Sequence, residues 1–219
     1  MGDLDSDLIR AVAPFLWDGL LTSLSLLLLA MAGGGILGTI LAVMRIAGPR
    51  PIAALAAGYV NALRSIPLIM VIFWFYLLVP LGIGRPIGAF TSALIAFVIF
   101  EAAYYAEIVR AGIQSVPRQQ FAAAIASGLG PWQSYRFVIL PQAIRKMLPI
   151  LLSQSIALFQ DTSLVYVVGL HDFMTAVSVT ANREGHLVEF YLFAVLVYFT
   201  LCLAASQSIQ LLKRSLVSP

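Results

Sequence analysis

Charge is what this chain has least of. Only 11% of its 219 residues are Asp, Glu, Lys or Arg, against 61% hydrophobic. A soluble domain carries about 25% charged residues, so this one lacks the charge to coat a water-facing surface. Length alone would allow one or two soluble domains; composition overrides that and predicts one polytopic membrane domain. Cysteine is nearly absent too. Cys202 stands alone in an apolar run, which excludes an intrachain disulfide or a cysteine metal cluster and reads as a buried apolar residue. The two histidines, His171 and His186, lack HExxH spacing and read as surface residues. No GxxxxGK[ST] loop is present, so the chain is not expected to bind ATP phosphates itself. No GxSxG-like or paired-aspartate signature marks an intramembrane protease. There is no internal repeat and no low-complexity segment. Residues 1–18 are acidic and amphipathic, with Asp3, Asp5, Asp7 and Asp18, and have neither the basic stretch nor the cleavage site of a signal peptide.

What is present is a series of long apolar runs. About 20 residues cross the hydrocarbon core, and Gly19 to Met44 holds 26 without a charge, so it reads as the first span. Gly33, Gly34, Gly35 and Gly38 within it favour close helix approach. Arg45 and Arg50 flank a Gly48-Pro49 turn. The second span runs from Ile52 to about Val79, interrupted by Arg64 and Pro67, and Pro80 to Pro86 is a turn. Ile87 to about Ile108 is the third span, Ala143 to Asp161 the fourth, Thr162 to Leu187 a polar re-entry and loop, and Val188 to Leu212 the fifth, closed by Lys213 and Arg214. The expected fold is an all-α polytopic membrane protein of five transmembrane helices. Its expected divisions are a segment 1–18 outside, the membrane domain 19–212 and a tail 213–219. With the 45–50 turn, the loop between spans three and four and the C-terminus on one side, that side holds ten of the thirteen Lys and Arg. The positive-inside rule makes it the cytoplasmic side and puts the N-terminus outside.

Charges within spans cost about 2.5–3.5 kcal/mol each on insertion scales, so each needs a reading. Glu107 and Arg110 are three apart at a helix end and are expected to pair. Glu101, nearer mid-membrane, either accepts hydrogen bonds from another helix or lines a polar cavity. Asp161, with Thr162 and Ser163, reads as a helix-terminating or capping signal. Arg64 has the guanidinium fork that matches a carboxylate, beside the kink-forming Pro67; against this stands a structural role, snorkelling to the interface or pairing internally. The run Phe73, Trp74, Phe75, Tyr76 reads as an interfacial belt and packing.

The stretch from Gly112 to Gln142 is the longest without membrane-spanning character. Its centre, Ala122 to Ser127, is small and helix-favouring, and Gly128, Gly130 and Pro131 break that helix. Phe121, Ile125 and Leu129 share a face. By physics alone, a helix docked in a partner's cleft and an amphipathic loop lying on anionic lipid are equally good readings.

The order Ala123-Ala124, Gly128, Val138, Leu140-Pro141 resembles the EAA loop of ABC importer permeases, EAA-x3-G-x9-I-x-LP. Ala122 stands where that family has Glu and Val138 where it has Ile. Glu101-Ala102-Ala103 is a decoy, because no Gly or LP follows at the required distance. NALRSIPLIMVIFWFYLLVP, FEAAYYAEIVRAGIQSV and LFQDTSLVYVVGL are similar to the polar-amino-acid permeases, most of all to the glutamate/aspartate branch. The resemblance implies a type I importer permease working by alternating access. It also implies a cytoplasmic coupling helix at Ala122, Ala123, Ala124, Ile125, Gly128, Leu140 and Pro141 that contacts an ATPase. Its partners would be an ABC ATPase dimer carrying ATP-Mg, a second permease subunit, identical or related, and a periplasmic or lipid-anchored solute-binding protein. No cofactor would be bound by this chain, which would not itself be an enzyme. Arg64, Glu101 and Asp161 are the candidates for the substrate path, with Asp161 given to gating. Glutamine, arginine or histidine as substrate, an ATP-independent carrier or channel, and a scaffold without transport are the alternatives; the loop spacing argues against the last two classes.

Overall fold

Helix α1 runs unbroken from Ser6–Ala47 in the computed structural model, which describes residues 6–217. At 1.5 Å per residue, its 42 residues measure about 63 Å. It therefore begins well before the Gly19 expected as the start of the span. Asp3 and Asp5 of the expected outer segment lie outside the described residues. The rest of that segment is helical because its apolar face has something to pack on. Val12 and Leu16 are buried, with Leu8 and Leu20 on the same stripe, against Phe173, Val177 and Phe190. Pro14 sits inside this helix, tolerated as prolines often are in membrane helices.

Helix α2 (Arg50–Arg64) and helix α3 (Leu68–Phe73) occupy the expected second span, but the chain bends there by 103°. Pro67 has no N–H to continue the helix, and it disfavours helical backbone at Ile66 before it. A π-helical stretch, Trp74–Leu78, then leads into α4 (Val79–Ile83). Pro80 and Leu81, expected in a turn, thus continue the helix, and the turn begins at Gly84, whose φ of 70° is left-handed. Helix α5 (Ala89–Gln114) is the centre of the molecule. Helix α6 (Arg118–Ala126) and the short α7 (Pro131–Ser134) follow. A second π-helical stretch, Tyr135–Ile139, joins α7 to α8 (Leu140–Asp161). Both π-helical stretches lie just before a proline, Pro80 and Pro141, whose ring would clash with a carbonyl in regular α geometry.

Residues 162–187, expected as re-entry and loop, are largely helical. A 3-10 stretch spans Thr162–Val168. Helix α9 (Phe173–Glu184) follows, ended by Gly185 at φ 75°. Helix α10 covers Leu187–Val217. Among the described residues four helical stretches are long and apolar enough to cross a membrane, and they are five, the number expected from the sequence, when the bent pair Arg50–Arg64 and Leu68–Ile83 is counted as one span.

The main core gathers Leu26 of α1, Ile72 of α3, Phe97 and Phe100 of α5, Leu158 of α8 and Val165. The tightest seam is α1 on α5. A Cβ on Gly38 would lie 2.7 Å from the Tyr105 Cβ and 2.9 Å from the Ala102 carbonyl oxygen. On Gly34 it would lie 2.9 Å from the Glu101 Cβ. Gly33 meets Val98 in the same way, whereas Gly35 faces open space. Three of the four glycines singled out in the sequence therefore let the backbones meet.

Candidate functional site

The loop between α5 and α8 is built so that α6 stands on its own and presents a bare face. Pro117 starts it, with the first turn closed by Gln120 N–H to the Pro117 carbonyl, 2.9 Å. Its end is a Schellman motif: Leu129 N–H donates to the Ala124 carbonyl, 3.1 Å, and Gly128 N–H to the Ile125 carbonyl, 3.0 Å. Gly128 carries this turn at φ 86°, the left-handed region where a Cβ is costly. Gly130 N–H then donates to Gln133 Oε1 at 2.9 Å, starting α7.

One face of α6 holds it to its own chain. Ala124 is buried. Phe121 packs against the Val116, Ile139 and Ala143 cluster and its ring centroid lies 5.4 Å from that of Tyr135. Gln142 Nε2 donates to Gln120 Oε1 at 3.3 Å, and Lys146 Nζ to the Ser115 carbonyl at 2.8 Å. The other face is free: Ala122, Ala123 and Ile125 are exposed. The stripe expected from Phe121, Ile125 and Leu129 is thus divided, because Phe121 turns inward, Ile125 outward, and Leu129 lies past the helix end. Leu140 is half-buried and Pro141 exposed at the first turn of α8. Trp132 (70% exposed) and Phe137 (62%) also stand out beside α6. Sequence reasoning passed over both, although two aromatics just after a break at Gly130-Pro131 were a usable signal.

Ion pairs hold the helix that leads into this loop. Glu107 pairs with Arg110 as expected, through Arg110 Nε to Oε2 at 3.2 Å and Arg110 Nη2 to Oε1. Arg45 at the end of α1 also donates to Glu107 Oε2, at 2.7 Å. All three side chains are half-buried, so the group ties α1 to α5 about two turns before the end of α5.

The three candidate path residues make no hydrogen bond or ion pair with one another. Glu101 is fully buried, and both its oxygens accept from Gln154 Nε2 on α8, each at 3.2 Å. This is the inter-helix hydrogen bonding that its position allowed. Arg64 is exposed at the end of α2, its guanidinium 5.4 Å from the centre of the Tyr104 ring, a cation–π distance. Among the described residues it pairs with no carboxylate. Asp161 makes no capping hydrogen bond. The helix passes into 3-10 geometry there, with the Thr162 and Ser163 hydroxyls donating to the Phe159 and Gln160 carbonyls, 2.6 and 2.7 Å. The capping aspartate is Asp172. It accepts from Met174 N–H and Thr175 N–H, both at 3.0 Å, and from the Thr175 hydroxyl at 2.6 Å. An Asp with Thr three residues on, before an apolar stretch, was a readable start signal. Cys202, expected to be buried, is only half so and accepts a hydrogen bond from Gln160 Nε2 at 3.7 Å. Both histidines are half-buried: His171 lies 4.5 Å from the Phe15 ring centroid, and His186 Nδ1 is 3.7 Å from Glu189 Oε1.

Comparison with known proteins identifies this arrangement. The chain is 48% identical to the glutamate/aspartate import permease protein GltK of Escherichia coli O157:H7, over 98% of this chain and 99% of that one. It is 34% identical to the probable glutamine ABC transporter permease protein GlnP of Bacillus subtilis, over 92% of each. A solved structure described as an amino acid ABC transporter with histidines matches with a TM-score of 0.90 and 30% identity, covering 98% of this chain and all of that one. The family described as the binding-protein-dependent transport system inner membrane component matches residues 34–218. With α6 standing on the path between two membrane helices and nearly the whole length matched, this chain belongs to the inner-membrane-component family of binding-protein-dependent transport systems.

Proposed function

We propose that this permease carries L-glutamate and L-aspartate into the cell by ATP-driven alternating access. The observation that carries the reading is the 48% identity, end to end, with a permease named for those two substrates. In this reading α6 docks on a cytoplasmic ABC ATPase through Ala122 and Ala123, whose exposed side chains are small enough for close backbone approach, and through the exposed apolar side chain of Ile125. Gly128, Leu140 and Pro141 shape the turn and the start of α8, and Ala124 seats the helix on its own chain. ATP-Mg binds to the ATPase, not to this chain. Closure of an ATPase dimer brings two such loops together, one from this chain and one from a second permease subunit, identical or related. The solute-binding protein delivers substrate on the opposite face. The C-terminal end of α10 and the α5–α8 loop lie in the cytoplasm and the N-terminal end of α1 outside, as the distribution of Lys and Arg favours.

Arg64 is the candidate for meeting a substrate carboxylate, because it is exposed and held at a bend rather than neutralised. Glu101, buried and bonded by Gln154, acts as a tie between α5 and α8 on the path's wall. Asp161 marks the geometry change at the end of α8 and belongs to the gate. The test is uptake of labelled L-glutamate by cells expressing this chain with its genomic neighbours. ATP-dependent uptake, competed by aspartate and not by arginine or glutamine, is the expected result. Competition by glutamine or arginine alone would discard the substrate, and uptake without ATP would discard the coupling role of α6.

A further inference from the structure

Between α1, α8 and α10 lies a cavity of about 450 Å³ that the transport reading does not use. Its α10 wall is a single stripe from Leu201 to Leu212, through Cys202, Ala205, Ser208 and Ile209. Leu152, Ile156 and Phe159 form the α8 wall, and Leu24 and Leu27 of α1 complete the lining. Eleven residue steps along α10 make a slot about 16 Å long. That is about half of the ~30 Å hydrocarbon core, the depth of one leaflet. Its few polar atoms are already used by the protein. The Ser155 and Ser208 hydroxyls donate to the Leu151 and Ala204 carbonyls, at 3.0 and 2.8 Å, and Cys202 Sγ accepts from Gln160. Nothing in the slot calls for water or for a polar solute.

The end of the slot is charged in one sense. Leu212 is followed directly by Lys213, which is exposed. On α8, Arg145 is also exposed; it stands two turns from Leu152 on the same helical face, towards the end of the slot that Lys213 marks. No carboxylate among the described residues pairs with either. An apolar groove of that volume and length suits one hydrocarbon chain.

We infer that the slot holds one acyl chain of an anionic phospholipid, with its phosphate drawn to Lys213 and Arg145. The lipid fills the gap between α8 and α10 and belongs to the leaflet at the Lys213 end. The inference stands on cavity shape and charge, independent of the substrate carried. The test uses the assembled transporter, purified with its co-expressed partners, stripped of loose lipid, then reloaded with phosphatidylglycerol or phosphatidylcholine. Bound lipid is counted by native mass spectrometry. One phosphatidylglycerol per permease subunit is expected to remain. Ala205→Trp, which fills the slot, should lower its retention about tenfold. Lys213→Gln and Arg145→Gln should each weaken phosphatidylglycerol about fivefold and leave phosphatidylcholine unchanged. These two surface variants keep the test alive if Ala205→Trp does not assemble. Equal retention of both lipids, or full phosphatidylglycerol retention in folded Ala205→Trp, would overturn the inference. A short bismaleimide that joins Cys202 to another subunit in the native complex would also overturn it, by showing protein in the slot.

Discussion

Helices α5 and α10 are both long, apolar and fit to cross a membrane, yet they are held in opposite ways. The most apolar stretch of α5 is 61% buried and that of α10 only 11%. Along α5, alanines and backbone face the glycines of α1, Glu101 takes Gln154 of α8, and Glu107 takes Arg45. Along α10, Leu192, Leu196 and Phe199 stand exposed, and the contacts it keeps are at the α9 end and across the slot to α8. Hydropathy cannot tell the two apart, because lipid and protein interior are equally apolar. Small residues and buried polar groups can, since in a membrane they mark where helices touch.

The sharpest way to break that contrast is at the seam. Gly38→Leu puts a side chain where a Cβ already meets Tyr105 and the Ala102 carbonyl, and should cost more than about 3 kcal/mol. Little folded permease should then be recovered from membranes. Gly35→Leu, three residues away in open space, should be recovered at the parental level. Next in size is Glu101→Ala, which strands the Gln154 amide in the interior and should destabilise by about 1–3 kcal/mol. Thermal unfolding of the purified permease checks it, and adding Gln154→Leu should restore part of the loss. Gly128→Val forces a β-branched residue into left-handed backbone, about 1–2 kcal/mol against the Schellman turn. ATP-dependent uptake should fall about tenfold while the assembled complex still hydrolyses ATP; unimpaired uptake would sink the coupling role of this turn. The smallest effect is on α10, where Leu196→Ala should change the melting temperature by the equivalent of less than about 0.5 kcal/mol.

Local features were the legible ones. The small-residue face of α1, the break at Gly128 and the Glu107–Arg110 pair all lie within a few residues of their own signal. What escaped reading depends on distance or on packing. Arg45 reaches Glu107 across 62 positions, and no local pattern announces it. Arg64 and Pro67 mark an interruption, but a 103° bend follows only from what α2 and α3 each pack against. Residues 6–18 look too polar for a span, and they are helical because Val12 and Leu16 find Phe173 and Phe190. Asp161 and Asp172 show the limit of type alone: both precede a Thr within three residues, but only Asp172 has extended backbone, at φ −101° and ψ −178°, from which its carboxylate reaches the following N–H groups. The motif of the α5–α8 loop located α6 correctly, while the division of its faces between Phe121 and Ile125 required the fold.

The α1–α5 seam also sets an order of events at the ribosome. α1 leaves the ribosome complete at Ala47, but the surface that its glycines fit does not exist until Gln114 has been made. At about 5–20 residues per second that is a wait of roughly 3–13 s. For that interval the groove at Gly33, Gly34 and Gly38 faces lipid or a chaperone, and Arg45 has no Glu107. The first helix of the chain is thus the one longest without its partner, and newly made permease is most vulnerable to membrane proteolysis before its third span arrives.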